Sequence, residues 1–89
     1  MKTIELEVVN ASGIHARPSG MIVEVTNRVN SDVRMKYNGI TANAKSILNI
    51  MMLAVEPGAM VQFVIEGDDE EVAAEELTKL FQKGFYEEG

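Results

Sequence analysis

Cysteine is absent from this 89-residue chain. Disulfide staples, thiolate chemistry and cysteine-based zinc sites are therefore excluded. There is one histidine, too few for a histidine-rich metal cluster. No apolar run approaches the roughly 18 residues of a membrane span. The N-terminal "MKTIELEVVN" alternates polar and apolar residues and lacks the continuous apolar stretch of a signal peptide, so a cytoplasmic protein without membrane insertion is expected. Basic residues are scarce: eight Lys and Arg against fourteen Asp and Glu leave a net charge of −6. That balance argues against nucleic-acid phosphates as a ligand and suits a basic partner surface. No repeat, linker or low-complexity tract interrupts the chain.

What is present reads as one globular domain, residues 1–89. Hydrophobic residues make up 46% and charged residues 25%, near the globular average, and the length allows one modest core. In "TIELEV", Ile4, Leu6 and Val8 face one way and Thr3, Glu5 and Glu7 the other, the pattern of a half-buried strand. From Pro18 the period changes. Pro18, Ile22, Val25 and Val29 fall on one face of a helix.

"DVRMKYNGITANA" carries the type I′ hairpin pair Asn38-Gly39. It predicts Tyr37 opposite Ile40 and Met35 opposite Ala42, with Val33, Met35, Tyr37, Ile40 and Ala42 on one face. "SILNIMML" follows, with Ser46 as N-cap. It is too apolar for Ile47, Leu48, Ile50, Met51, Met52 and Leu53 all to enter one core, so part of it should be an exposed partner patch. Met60 to Glu66 reads as a central strand. "GDD" turns the chain and caps a last helix, in which Ala73, Leu77, Leu80 and Phe81 form the buried stripe and Gly84 the C′ position.

The order β-α-β-β-α-β-α implies an α+β open-faced sandwich: a four-stranded antiparallel sheet covered on one face by three helices. The other face should be polar, supplied by Thr3, Glu5, Glu7, Asp32, Arg34, Lys36 and Thr41.

The candidate site is "NASGIHARPSG", Asn10 to Gly20. Proline is tolerated in a first helical turn, where its missing N–H had no partner to lose. A helix beginning at Ala16 then puts His15 at the N-cap and leaves the amides of Ala16 and Arg17 free. Such an end attracts anions, the dipole contributing roughly 0.3–1 kcal/mol for a nearby charge. Arg17 adds a guanidinium suited to bidentate phosphate contact. An imidazole nucleophile there could take a phosphoryl group, hold it on the two amides and pass it on. Ser12 and Ser19 carry no assigned chemistry.

"GIHARP", Gly13 to Pro18, resembles the active-site signature of the HPr family, the histidine-containing phosphocarriers of the bacterial phosphoenolpyruvate-dependent sugar phosphotransferase system. The likeness covers the whole chain. "SDVRMKYNG" and "NAKSILNIMMLAVEPGAMVQFVIEGDDEEVAAEEL" share the family's form. The resemblance implies a phosphocarrier rather than a stand-alone enzyme. Enzyme I would donate the phosphoryl group to Nδ1 of His15, and the A domains of sugar permeases would receive it. Arg17 would stabilise the phosphate, as would the backbone amides of Ala16 and Arg17. No cofactor and no metal are implied, and a monomer is expected.

Around "KSIL" the resemblance further implies that Ser46 is a regulatory phosphosite. It would be served by a serine kinase/phosphorylase, and the modified protein would bind a catabolite-control repressor. Residues Met21, Ile47, Leu48 and Met51 would belong to the docking face. Glu24 and Asn27 stand where some members carry lysine, and Asn49 where glycine or lysine is frequent, which bears on partner affinity. Two alternatives stay within this family: a corepressor module that does not transfer, against which the intact His15 signature counts, and a nitrogen-branch phosphocarrier. An acyl or peptidyl carrier is rejected, because such a carrier needs an Asp-Ser-Leu style attachment site on a four-helix bundle.

Overall fold

The computed structural model describes residues 1–87. Its elements are β1 (Lys2–Glu7), α1 (Ala16–Thr26), β2 (Asp32–Tyr37), β3 (Ile40–Asn43), α2 (Ile47–Met52), β4 (Met60–Glu66) and α3 (Glu70–Gln82), closed by a short turn at Gly84–Tyr86. The four strands form one antiparallel sheet in the order β1-β4-β2-β3. β4, the last strand in sequence, sits between β1 and β2. Its apolar residues Val61, Phe63 and Ile65 are buried against the helices, and Gln62 and Val64, on the other face, are half-buried. This is the predicted open-faced sandwich.

The hairpin has the expected register. Tyr37 pairs with Ile40 and Met35 with Ala42, and Asn38 and Gly39 both have positive φ, as a type I′ turn requires. Val33, Met35 and Ala42 are buried on its core face, but Ile40 is exposed. β3 is the edge strand, and at its hairpin end the helical cover stops. The uncovered face is polar as expected: Thr3, Glu5, Glu7, Asp32, Arg34, Lys36 and Thr41 are all exposed.

α1 ends at Thr26 rather than continuing to Val29, yet Val29 stays buried. Past Thr26 the chain tightens, the Arg28 and Val29 N–H groups donating to the Val25 and Thr26 carbonyls at 3.1 and 3.4 Å. The Thr26 hydroxyl donates to the Ala44 carbonyl at 2.8 Å, tying the end of α1 to the segment before α2. Lys45 adds a bond from Nζ to the Val29 carbonyl at 3.0 Å. Together they lock α2 beside α1.

In α3, Ala73, Leu77, Leu80 and Phe81 are buried as expected, and Ala74 with them. Phe81 meets Phe63 edge-on, with ring centroids 5.6 Å apart, and Phe85 stands 4.8 Å beyond it, both separations within the favourable range for aromatic pairs.

Asp69 departs from expectation. It occupies the N-cap position of α3, but its side chain makes no cap bond. The carboxylate instead accepts the backbone N–H groups of Asn30 at 2.8 Å and Ser31 at 2.9 Å, and the Ser31 hydroxyl. It ties the α1–β2 loop to the β4–α3 turn. The Ser31 hydroxyl, more than the Asn30 amide, holds the Asp69 carboxyl below the usual carboxylate range. Gly67 makes the approach possible, since a Cβ there would lie 2.6 Å from Ser31 Cα. Among the described residues no helix is long and apolar enough to cross a membrane.

Candidate functional site

The loop after β1 is fixed before it reaches His15. Val8 bonds Ala59 and Gly58 at 2.9 and 2.7 Å, joining the end of β1 to the loop before β4. Ile14 is buried and donates its N–H to the Val55 carbonyl at 3.1 Å. Gly13 packs so closely here that a Cβ would stand 2.7 Å from the Val55 oxygen. Its φ of +69° is one that glycine adopts at little cost. The Asn10 side-chain amide closes the loop by donating to the Gly13 carbonyl at 2.8 Å. The anchored Ile14 leaves His15, the next residue, exposed.

His15 is the N-cap of α1, with extended backbone and no side-chain cap bond. Its ring is therefore not engaged in capping. Its carbonyl takes the first helical bond, from Ser19 N–H at 3.0 Å. Pro18 fills the third helical position, where the lost N–H costs nothing. No acceptor among the described residues takes the Ala16 or Arg17 amide. Both residues are exposed, as is His15. One imidazole, two open amides and one guanidinium thus share the start of one helix, a setting that favours an anion.

Beside His15 lies an open depression of about 390 Å³, lined by Ile14, Met51, Ala54, Val55, Glu56 and Pro57. Met51 links it to the apolar surface of α2. Ile50 and Leu53 turn into the core, while Ile47, Leu48, Met51 and Met52 stay exposed, Leu48 by 72% and Met52 by 79%. This is the expected division of the apolar segment. Met21 is half-buried and packs against the core. It lines a different depression, between α1 and α3, with Glu24, Arg28 and Tyr86. Ser46 caps α2, its Oγ accepting the Asn49 N–H at 3.2 Å.

One group at the site was missed by the sequence reading. From Gly84 the chain runs through three residues of positive φ, Gly84, Phe85 and Tyr86. Phe85 is buried against Phe81. The turn delivers Glu87 to the His15 loop, where its carboxylate accepts the Ser12 hydroxyl and, at 3.1 Å, the Asn10 side-chain amide. The Ser12 hydroxyl is the main cause holding the Glu87 carboxyl below the usual carboxylate range, opposed by partial burial and reinforced by Asn10 and the positive charge of Arg17. The available signal was Phe85, directly after a C′ glycine, whose burial turns the chain back. Glu88 and Gly89, the end of the acidic tail, lie outside the described residues.

Comparison with known proteins agrees with this geometry. Residues 2–83 match a family model for the PTS HPr component phosphorylation site. The chain is 39% identical to the phosphocarrier protein HPr of Treponema pallidum, over 99% of this chain and 98% of the relative. The crystal structure of an HPr from Thermoanaerobacter tengcongensis superposes with a TM-score of 0.95 at 38% identity, covering all of both chains. Crh of Bacillus subtilis, a catabolite repression protein seen as a domain-swapped dimer, gives a TM-score of 0.74 at 38% identity, over 94% of this chain and 97% of that one. The chain belongs to the HPr family of phosphocarrier proteins, components of the phosphotransferase system.

Proposed function

We propose that this chain takes a phosphoryl group on His15 Nδ1 from phospho-enzyme I, originating in phosphoenolpyruvate, and passes it to the A domains of sugar permeases. The carrying observation is the exposed imidazole at an open helix start, with the Ala16 and Arg17 amides unbonded among the described residues. In the forward step the Nδ1 lone pair forms a bond to phosphorus as the donor's bond to phosphorus breaks, its electron pair leaving with the donor. The proton on Nε2 stays in place. The acquired negative charge meets the two amides and Arg17. The reverse chemistry, with a permease domain as nucleophile, empties the site. Because the ring is exposed beside an open depression, two successive partners can reach it, and turnover belongs to them.

Ser46 supports a second, regulatory layer. It caps α2 next to the exposed Ile47, Leu48 and Met51. A phosphate there would meet the helix start while placing charge on the docking patch. Likeness to Crh favours a catabolite-control repressor as reader of that mark. The protein then works in the cytoplasm, where these partners act.

The deciding experiment mixes the protein with enzyme I, magnesium and labelled phosphoenolpyruvate, with His15→Ala in parallel. Label that is lost in acid, kept in base and absent from the variant is the expected result. Failure of the wild type to take label from a competent enzyme I would leave a regulatory module read through Ser46.

A further inference from the structure

We propose that Glu87 is a positioning residue of the acceptor loop, clamping Ser12 and Asn10 while His15 is empty and being driven off when His15 carries a phosphoryl group. The inference rests on the phosphocarrier reading and adds the tail to it. Its first support is the place of the clamp. Asn10 bonds both Gly13, two residues before His15, and Glu87, at 2.8 and 3.1 Å, and Ser12 bonds the same Glu87 oxygen. The carboxylate therefore holds the loop at its base without touching the ring.

The second support is charge. A phosphoryl group on His15 brings negative charge to the end of the same loop that the Glu87 carboxylate holds at Asn10 and Ser12. Arg17 would serve both anions: its charge, after the Ser12 hydroxyl and the Asn10 amide, is the weakest of the influences that hold the Glu87 carboxyl low. When the phosphoryl group recruits Arg17, Glu87 loses that support and gains a like-charged neighbour.

The third is the way the tail is held. Phe85 and Tyr86 sit at φ of +56° and +59°, a region that disfavours side-chain-bearing residues. Such a turn persists only while its contacts outweigh the strain. Those contacts are the burial of Phe85 against Phe81 and the bonds of Glu87. Loss of the Glu87 bonds leaves a strained turn free to open.

The test compares the full chain with Glu87→Gln. Glutamine can still accept from Ser12 and Asn10, so the variant removes charge and keeps the geometry. Each protein is equilibrated with catalytic enzyme I, magnesium and a fixed ratio of phosphoenolpyruvate to pyruvate, and the phosphohistidine fraction is read by phosphorus NMR. The variant should favour the phosphorylated form about fivefold more than wild type, at the low end of coupling between two sites. Amide NMR of the wild type should show Ser12 and Tyr86 shifting together on phosphorylation, and the Tyr86 shift should be much reduced in Phe85→Ala, whose tail is already loose. Equal phosphorylation equilibria for wild type and Glu87→Gln, or a Tyr86 amide unmoved by phosphorylation, would overturn the proposal while the carrier function stood. No phosphohistidine on the wild type would overturn both.

Discussion

Substituting Gly13 by alanine separates two kinds of backbone demand in one small domain. Gly13 and Gly39 both have positive φ, +69° and +78°, so alanine at either costs roughly 1–2 kcal/mol for the left-handed conformation. Their surroundings differ. A Cβ at Gly39 meets nothing within 4 Å, whereas at Gly13 it would lie 2.7 Å from the Val55 oxygen and 3.2 Å from Pro57 Cδ. That oxygen accepts the Ile14 N–H, so the loop cannot move away without losing a hydrogen bond worth about 1 kcal/mol. Gly13→Ala should therefore be destabilised by about 1 kcal/mol more than Gly39→Ala, a further 4–8 °C or so in melting temperature for a domain of this size. Thermal and urea denaturation, monitored by circular dichroism, measure the difference. Function should follow: displacing Ile14 moves His15, and the initial rate of phosphoryl uptake should fall about tenfold in Gly13→Ala and stay near wild type in Gly39→Ala. Melting temperatures for the two variants that agree within error would refute the claim that the 13–15 loop is pinned against Val55.

Ala54 has a φ of +53° beside the His15 depression, so Ala54→Gly should gain up to about 1 kcal/mol in urea unfolding, and a loss would show that the turn is held otherwise. Ser46→Ala removes the acceptor of the Asn49 N–H and should lose about 1 kcal/mol, with Ser46→Asp retaining most of it. Asp69 has its folded-state pKa lowered, chiefly by the Ser31 hydroxyl and then the Asn30 amide. Its stabilisation is then complete above the unfolded value of about 3.9 and is lost as pH falls through the lower folded value. The urea midpoints of wild type and Asp69→Asn should differ at neutral pH, begin to converge as pH falls below about 4, and meet only below the lower folded value; a gap undiminished in acid would contradict the assignment.

Where neighbours in sequence supply both the cause and the effect, the fold is legible from sequence. Asn38-Gly39 encodes its own turn, and the turn encodes the register of β2 and β3. Pro18 marks the first turn of α1, and with it the N-cap position of His15. Surplus apolar residues in a six-residue helix predict an exposed patch, which Leu48 and Met52 form. Asp69 shows where this reasoning stops. From sequence it is a cap, and in the fold its carboxylate bridges to residues 38 and 39 positions away, because two backbone amides and a hydroxyl offer it more than one helix end. Ser12 looks inert for the same reason: its partner is 75 residues distant.

The exposure of the site follows from the task of a carrier. A hydrolytic or synthetic active site gains from excluding water, because fixed dipoles act more strongly in a dry cavity. A carrier must give its cargo away, and an imidazole sealed in a cavity could face only one partner. This fold meets that requirement by making the support rigid and leaving the ring free. Ile14 is locked to Val55, Val8 to the loop before β4, and α1 to α2 through Thr26 and Lys45, while His15, Arg17 and the exposed side of α2 stay in solvent. In the proposed site an anion would rest on backbone amides, whose position is set by the helix itself, so a single flexible side chain, Arg17, would suffice to complete it. Precision then resides in the loop that precedes the histidine. For that reason substitutions at Gly13 and Asn10, which lie outside the proposed phosphate contacts, should disturb transfer more than most changes on the proposed docking face.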